Sequence, residues 1–252
     1  MKGLKSLNIR MYYLLVLIIT SCSLFLASCD DGHVDDPVYN DYSEKYIVKI
    51  TGTFKSRQTW TGNYSVVAAC FNSESTYSVI QKVLPSNATD STETSLIISS
   101  VPVNAETVEI AIVNALRQRI ATIYSYEIPA DQDPSDTIQV NVGEINVGMF
   151  GAINQYVFQS TVLNCSRCHS GDRAASNLNL TTDRAYDNLV DVISYNDSNY
   201  LRVKPEDAEN SYLYKVLTTG TEEVSYNHTT MLADYPDFLD IIKSWIDGGA
   251  KE

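Results

Sequence analysis

Cys165, Ser166, Arg167, Cys168 and His169 carry the densest chemistry in this 252-residue chain. Two thiols three residues apart can each form a thioether to one vinyl edge of a porphyrin. A histidine directly after the second lies under the iron and supplies an axial nitrogen. This is the attachment signature of a c-type haem. The expected cofactor is therefore one covalent haem c, with Cys165 and Cys168 as anchors and His169 as proximal ligand. The chemistry would be that of iron, tuned by axial ligand, hydrogen bonding and burial.

Two other uses of the same residues stay open. Cys165, Cys168, His169 and His228 make a chemically reasonable tetrahedral zinc set of two sulfurs and two nitrogens. Adjacent Cys168 and His169 would both have to turn onto one ion. A Cys165–Cys168 disulfide is the other, in an oxidising compartment. For a sixth iron ligand, Met231 is the only methionine after the motif and His228 the only other histidine there. A thioether raises the reduction potential, whereas a second imidazole lowers it. An open sixth position is the third outcome.

The elements around the motif begin with an export signal. Lys2, Lys5 and Arg10 form a basic start, and an apolar run follows from Met11 to Leu26. Leu26-Ala27-Ser28-Cys29 then resembles a bacterial lipobox, in which the cysteine is acylated and becomes the new N-terminus. A signal without lipid, or a single anchor helix, is the alternative. Residues 1–28 are read as signal peptide, Cys29 as the lipidated residue, and 29–44 as an acidic, flexible linker. Removing Lys2, Lys5 and Arg10 from 18 basic residues leaves about 15 against 31 acidic ones, so the mature chain carries about −16. Such a polyanion is a poor partner for nucleic acid and a good one for a cationic protein face. Of the five cysteines, Cys70 is left over; it sits in a strand-like run and reads as a small buried apolar side chain.

Residues 45–146 read as all-β. Tyr46, Val48 and Ile50 alternate with polar or outward positions, as do Val108, Ile110 and Ile112, and Ile138, Val140 and Val142. Period-two alternation marks strands buried on one face. Further strands are expected at 65–72, 76–83, 95–101 and 118–127. About seven strands in about 100 residues fit an immunoglobulin-like or fibronectin-like sandwich. From Val147 the pattern becomes helical. Helices are expected over 153–163, from Thr181 or Thr182 to Ile193 with Tyr186, Leu189, Val190 and Ile193 on one face, over 211–217, and last on the stripe Phe238, Ile241, Ile242, Trp245 and Ile246, with Asp234 as cap. That stripe needs something to pack on, and a buried porphyrin would serve.

The order of segments after the motif is distinctive. Ala175-Ser176-Asn177-Leu178-Asn179-Leu180 is followed by Tyr186-Asp187-Asn188-Leu189-Val190, Arg202-Val203-Lys204-Pro205, Asn210-Ser211-Tyr212-Leu213 and Trp245-Ile246-Asp247-Gly248-Gly249-Ala250. Over about Phe150 to Lys251 this resembles the cytochrome c domains of exported bacterial proteins, including the planctomycete-type group. The resemblance implies a few helices around one haem in residues 150–252, so the expected fold class is an all-β immunoglobulin/fibronectin-like sandwich followed by a small all-α cytochrome c-like domain. It also implies a methionine ligand shortly before the last helix. Met231 stands there, although Leu232 occupies the place of the family's proline. Arg202, or less favourably Lys204, would neutralise a haem propionate.

The expected function is one-electron transfer by a lipid-anchored cytochrome in the cell envelope, not catalysis, with a redox protein as partner. Two readings from other classes stand beside it. One is a surface lipoprotein whose sandwich binds a glycan or protein, with the haem domain as structural or redox-sensing appendage. The other is a peroxidase-type haem enzyme, for which no distal acid–base pair is visible.

Overall fold

A computed structural model describes residues 44–85 and 90–252, and Glu44–Glu252 form one compact unit. The signal, the lipobox with Cys29, and the acidic linker lie outside the described residues. Among the described residues there are seven strands in two sheets. β1 (Lys45–Lys55) is the centre of the first sheet, antiparallel to β4 (Glu93–Pro102) and parallel to β7 (Thr137–Asn146). The second sheet is antiparallel throughout, in the order β3 (Ile80–Val83), β2 (Tyr64–Phe71), β5 (Thr107–Asn114), β6 (Arg119–Glu127).

Alternation builds the core. Val48, Ile50 and Phe54 of β1, Leu96 and Ile98 of β4, and Ile138 and Val140 of β7 share one buried cluster with Val66, Ala68 and Cys70 of β2 and Val108, Ile110 and Ile112 of β5. Gly52 sits where the β1–β7 register shifts, and a Cβ there would lie 2.2 Å from Val142 Cγ2, so only glycine fits the close approach.

The C-terminal part corrects the expected fold class: it is not an all-α cytochrome c-like domain. Its helices are few and short: α1 (Met149–Ile153), α2 (Ala185–Leu189), α3 (Tyr212–Thr218) and α4 (Pro236–Asp247). The rest is turns, with isolated bridges Val190↔Val203, Ile193↔Leu201 and Leu201↔Ser211. The helices expected over 153–163 and 181–193 do not form at those bounds. The first becomes α1 plus one π turn, Asn154–Phe158, closed by Gln159 N–H donating to the Asn154 carbonyl. The second stops at Leu189 because other partners take the carbonyls it needs. Asn188 O accepts from the Arg202 guanidinium, and Leu189 O accepts from Val203 N–H. Those are the acceptors that Val192 and Ile193 would use in a helix. Ile193, expected on the buried stripe, is 61% exposed.

α4 carries the expected stripe, but protein packs on it. Phe150 of α1 lies 5.2 Å, centroid to centroid, from the Trp245 ring, and Tyr156 stacks on Phe238 at 5.9 Å. Its cap also differs: Tyr235 holds the N-cap position, without a side-chain hydrogen bond, and Pro236 follows in the first turn. Polar ties join this layer to the strands. Tyr64 Oη donates to Asp237 Oδ1 at 2.8 Å, Tyr156 Oη to the Thr122 carbonyl, Thr61 Oγ1 to the Ser244 carbonyl, and Trp60 Nε1 to the Val147 carbonyl. The buried cluster runs without a break from the strands through Val147, Met149, Phe150 and Ile153 to α4.

Candidate functional site

The motif forms one tight turn. Asn164 enters it at φ +55°, Cys165–Arg167 make a single 3₁₀ turn, and the Cys165 carbonyl accepts from Cys168 N–H at 3.3 Å and from His169 N–H at 3.1 Å. In a 3₁₀ turn residues i and i+3 stand over one another, so Cys165 and Cys168 are brought together, with His169 directly after them. Both cysteines are free thiols. Cys168 is exposed, whereas Cys165 leans on the core, and burial pushes its thiol up to about 11.

His169 is held in a definite tautomer. Its Nδ1 lies 3.1 Å from the Ala175 carbonyl, which can only accept, so Nδ1 carries the proton and Nε2 keeps its lone pair. Burial lowers the pKa of the imidazole, and the neighbouring His228 adds to this, while the Leu178 and Ala175 carbonyls oppose it. The ring is therefore neutral near pH 7, the form that ligates metals.

The return loop fixes that carbonyl. Ala175 N–H donates to the Cys168 carbonyl at 2.9 Å, and Leu180 N–H to the His169 carbonyl at 2.8 Å. Ser176 and Asn177 follow at φ +54° and +51°. Their carbonyls are gripped by Arg202 Nη2 at 3.1 and 3.0 Å, while Nη1 holds the Asn188 carbonyl at 2.8 Å. Arg202 is only 8% exposed. The geometry makes it a clamp on the loop that orients His169, with three of its five N–H donors given to backbone oxygens. Lys204 is exposed and pairs with Asp207 at 2.7 Å.

His228 and Met231 lie in the turns between α3 and α4, and this loop brings His228 near the motif. The His169 and His228 rings are 6.2 Å apart, centroid to centroid, at an interplanar angle of 44°. His228 Nδ1 lies 2.9 Å from the Tyr226 carbonyl. Tyr226 sets its ring edge-on to His228 at 4.9 Å, and its hydroxyl donates to Met231 Sδ at 3.6 Å. Leu232, buried next in sequence, pins this loop to the core. Sequence reasoning missed Tyr226 and the two orienting carbonyls of Ala175 and Tyr226. Backbone oxygens carry no residue signature, and a tyrosine two positions before a histidine is not a motif.

Among the described residues no group of three or more His, Cys, Asp or Glu side chains converges as a metal site, so Cys165, Cys168, His169 and His228 do not form a zinc tetrahedron. Upstream, the π turn lets Asn154 Nδ2 reach the Thr182 carbonyl at 3.0 Å and Gln159 Nε2 reach the Leu180 carbonyl, tying the approach to the motif to its exit. A separate cleft of about 370 Å³ lies between β6 and the helical layer, lined by Ile120, Tyr156, Val162, Tyr235 and Phe238. Arg119 at its rim is bound to Glu109. Trp245 and Tyr186 are structural: Trp245 Nε1 donates to the Lys251 carbonyl at 2.7 Å, and Tyr186 Oη to the Ala250 carbonyl at 2.9 Å. Cys70 is buried in the sandwich, its thiol pushed up to about 12 by desolvation and by Glu109.

No known protein family matches the chain, and neither a curated protein nor a solved structure matches it.

Proposed function

We propose that the chain is an exported, lipid-anchored haemoprotein that carries one covalent haem c and transfers single electrons outside the cytoplasm. The observation that supports this reading is the turn that brings two unbridged thiols together directly before an imidazole oriented by a backbone carbonyl. The reading does not need a cytochrome c fold. It needs a short stretch of backbone with this local geometry, fixed to a rigid support.

Each residue has a defined task. Cys165 and Cys168 anchor the porphyrin as thioethers, so the cofactor stays with the chain even where the site is half open to solvent. His169 binds through Nε2, while its Nδ1–H stays on the Ala175 carbonyl, which raises the basicity of the ligand and fixes its plane. Arg202 holds the loop that presents this carbonyl. When bound, haem would supply a ferric/ferrous couple for one-electron transfer. Cys29 is assigned as the lipid-bearing residue and the acidic residues after it as the spacer. With 31 acidic residues in the chain, the redox partner is assigned a cationic docking face.

The test is expression in a host with working haem c ligation machinery. The purified protein is expected to keep haem through denaturing electrophoresis, and Cys165→Ala with Cys168→Ala to lose it. Reversible one-electron titration with sharp ferrous bands supports the carrier role; a five-coordinate ferric site with peroxidase turnover would overturn it.

A further inference from the structure

Resting on that haem reading, we infer that the sixth ligand to the iron is His228, and that Met231 is a supporting residue behind it. The argument begins with distance. Two imidazoles bound on opposite sides of one metal, at the usual nitrogen–metal bond of about 2 Å, place their ring centres about 6 Å apart once about 1 Å from nitrogen to ring centre is added at each end. The His169 and His228 centroids are 6.2 Å apart. The 44° between their planes is compatible with axial binding, because each plane need only stand upright on the porphyrin.

The tautomers form a second, independent observation. Each ring has its Nδ1 on a backbone carbonyl, Ala175 for His169 and Tyr226 for His228, at 3.1 and 2.9 Å. Carbonyls only accept, so the neutral tautomer that fits each contact carries its proton on Nδ1 and its lone pair on Nε2. This is the orientation that protein-bound metals require of a histidine, with the far nitrogen tied back to the protein.

Met231 is engaged differently. Its sulfur accepts from Tyr226 Oη at 3.6 Å, and the same Tyr226 ring stands edge-on against His228 at 4.9 Å. Tyr226 thereby links the thioether to the imidazole: Met231 holds Tyr226, and Tyr226 fixes the His228 ring by its edge and by its carbonyl. The redox consequence is direct. Two imidazoles hold the couple at a lower potential than an imidazole and a thioether would.

The experiment uses the full chain loaded with haem in a host with haem c ligation machinery. Wild type is expected to give a low-spin ferric spectrum without a near-infrared sulfur-to-iron band. His228→Gly is expected to turn high-spin and to return to low-spin on addition of free imidazole. Met231→Ala is expected to stay low-spin. A sulfur-to-iron band in wild type that disappears in Met231→Ala, or an unchanged ferric spectrum in His228→Gly, would overturn the assignment. Haem staining of the same samples separates the two levels. Covalent haem with the wrong spectra defeats His228 alone, whereas no covalent haem in wild type defeats the underlying reading and the ligand assignment with it.

Discussion

Cys165 and Arg202 are the two residues whose surroundings say most about how the site is built. The Cys165 thiol is pushed up to about 11 by burial, so at neutral pH it is almost wholly protonated. Thiols react as thiolates. In protein produced without haem ligation, iodoacetamide labelling of Cys165 is expected to accelerate steadily from pH 7 to pH 10 without a plateau, followed by mass spectrometry of the labelled peptide. A plateau at the usual thiol pKa of about 8.5 would contradict the buried setting. Arg202→Met removes the donors from three carbonyls at once. Unmet buried carbonyls cost about 1–3 kcal/mol each, partly recovered by water, and a net loss of about 2–3 kcal/mol is expected in urea melts. Because the clamp acts on the loop that orients His169, the ferric spectrum of the loaded variant is expected to broaden toward mixed spin; an unchanged spectrum at reduced stability would make Arg202 structural only. The proposal for Cys165, Cys168 and His169 starts from the sequence, since it rests on residue types at fixed spacing. The role of Arg202 was not legible there, because its partners are main-chain oxygens brought together by the fold.

At the scale of elements, the strands and two of the four helices could be read, and the other two helices could not, for one physical reason. A strand buried on one face writes its period into its own residues, as Tyr46, Val48 and Ile50 do in β1. A helix end depends on which groups elsewhere compete for its carbonyls. The stripe Tyr186, Leu189, Val190 and Ile193 looked continuous, yet Arg202 and Val203 capture Asn188 O and Leu189 O and end α2 there. α4 was legible because its stripe is long and strong, although its packing partner was misread. Trp245 is 1% exposed and packs on Phe150, so Trp245→Ala is expected to cost about 3–5 kcal/mol, measured by chemical denaturation. If a porphyrin filled that role instead, haem-free protein would show almost no loss.

At the scale of the molecule, the strands and the helical layer share one core and a set of polar ties, so the site rests on the sandwich itself. The Tyr64–Asp237 bond is the most informative of these ties. Burial raises the pKa of the Tyr64 hydroxyl, and the carboxylate of Asp237 raises it further. Below the unfolded value of about 10, Tyr64 is neutral in both states and its contribution is fully present. As pH rises past 10, the unfolded chain ionises while the folded one resists, so that stability is lost with increasing pH. Tyr64→Phe is expected to cost about 1 kcal/mol at pH 7 and to flatten the decline between pH 10 and pH 11 relative to wild type. Melting curves across that range check both, and an equal decline in the two proteins would show that the tie carries no linkage.

The account depends first on covalent haem at Cys165 and Cys168. The most direct measurement is the intact mass of the protein purified under denaturing conditions from cells competent in haem c ligation. The predicted result is a single species heavier than the processed chain by one haem, reduced to the bare chain when both cysteines are replaced by alanine. A wild-type protein that runs at the mass of the bare chain, from cells that load a control c-type cytochrome in the same culture, would contradict it.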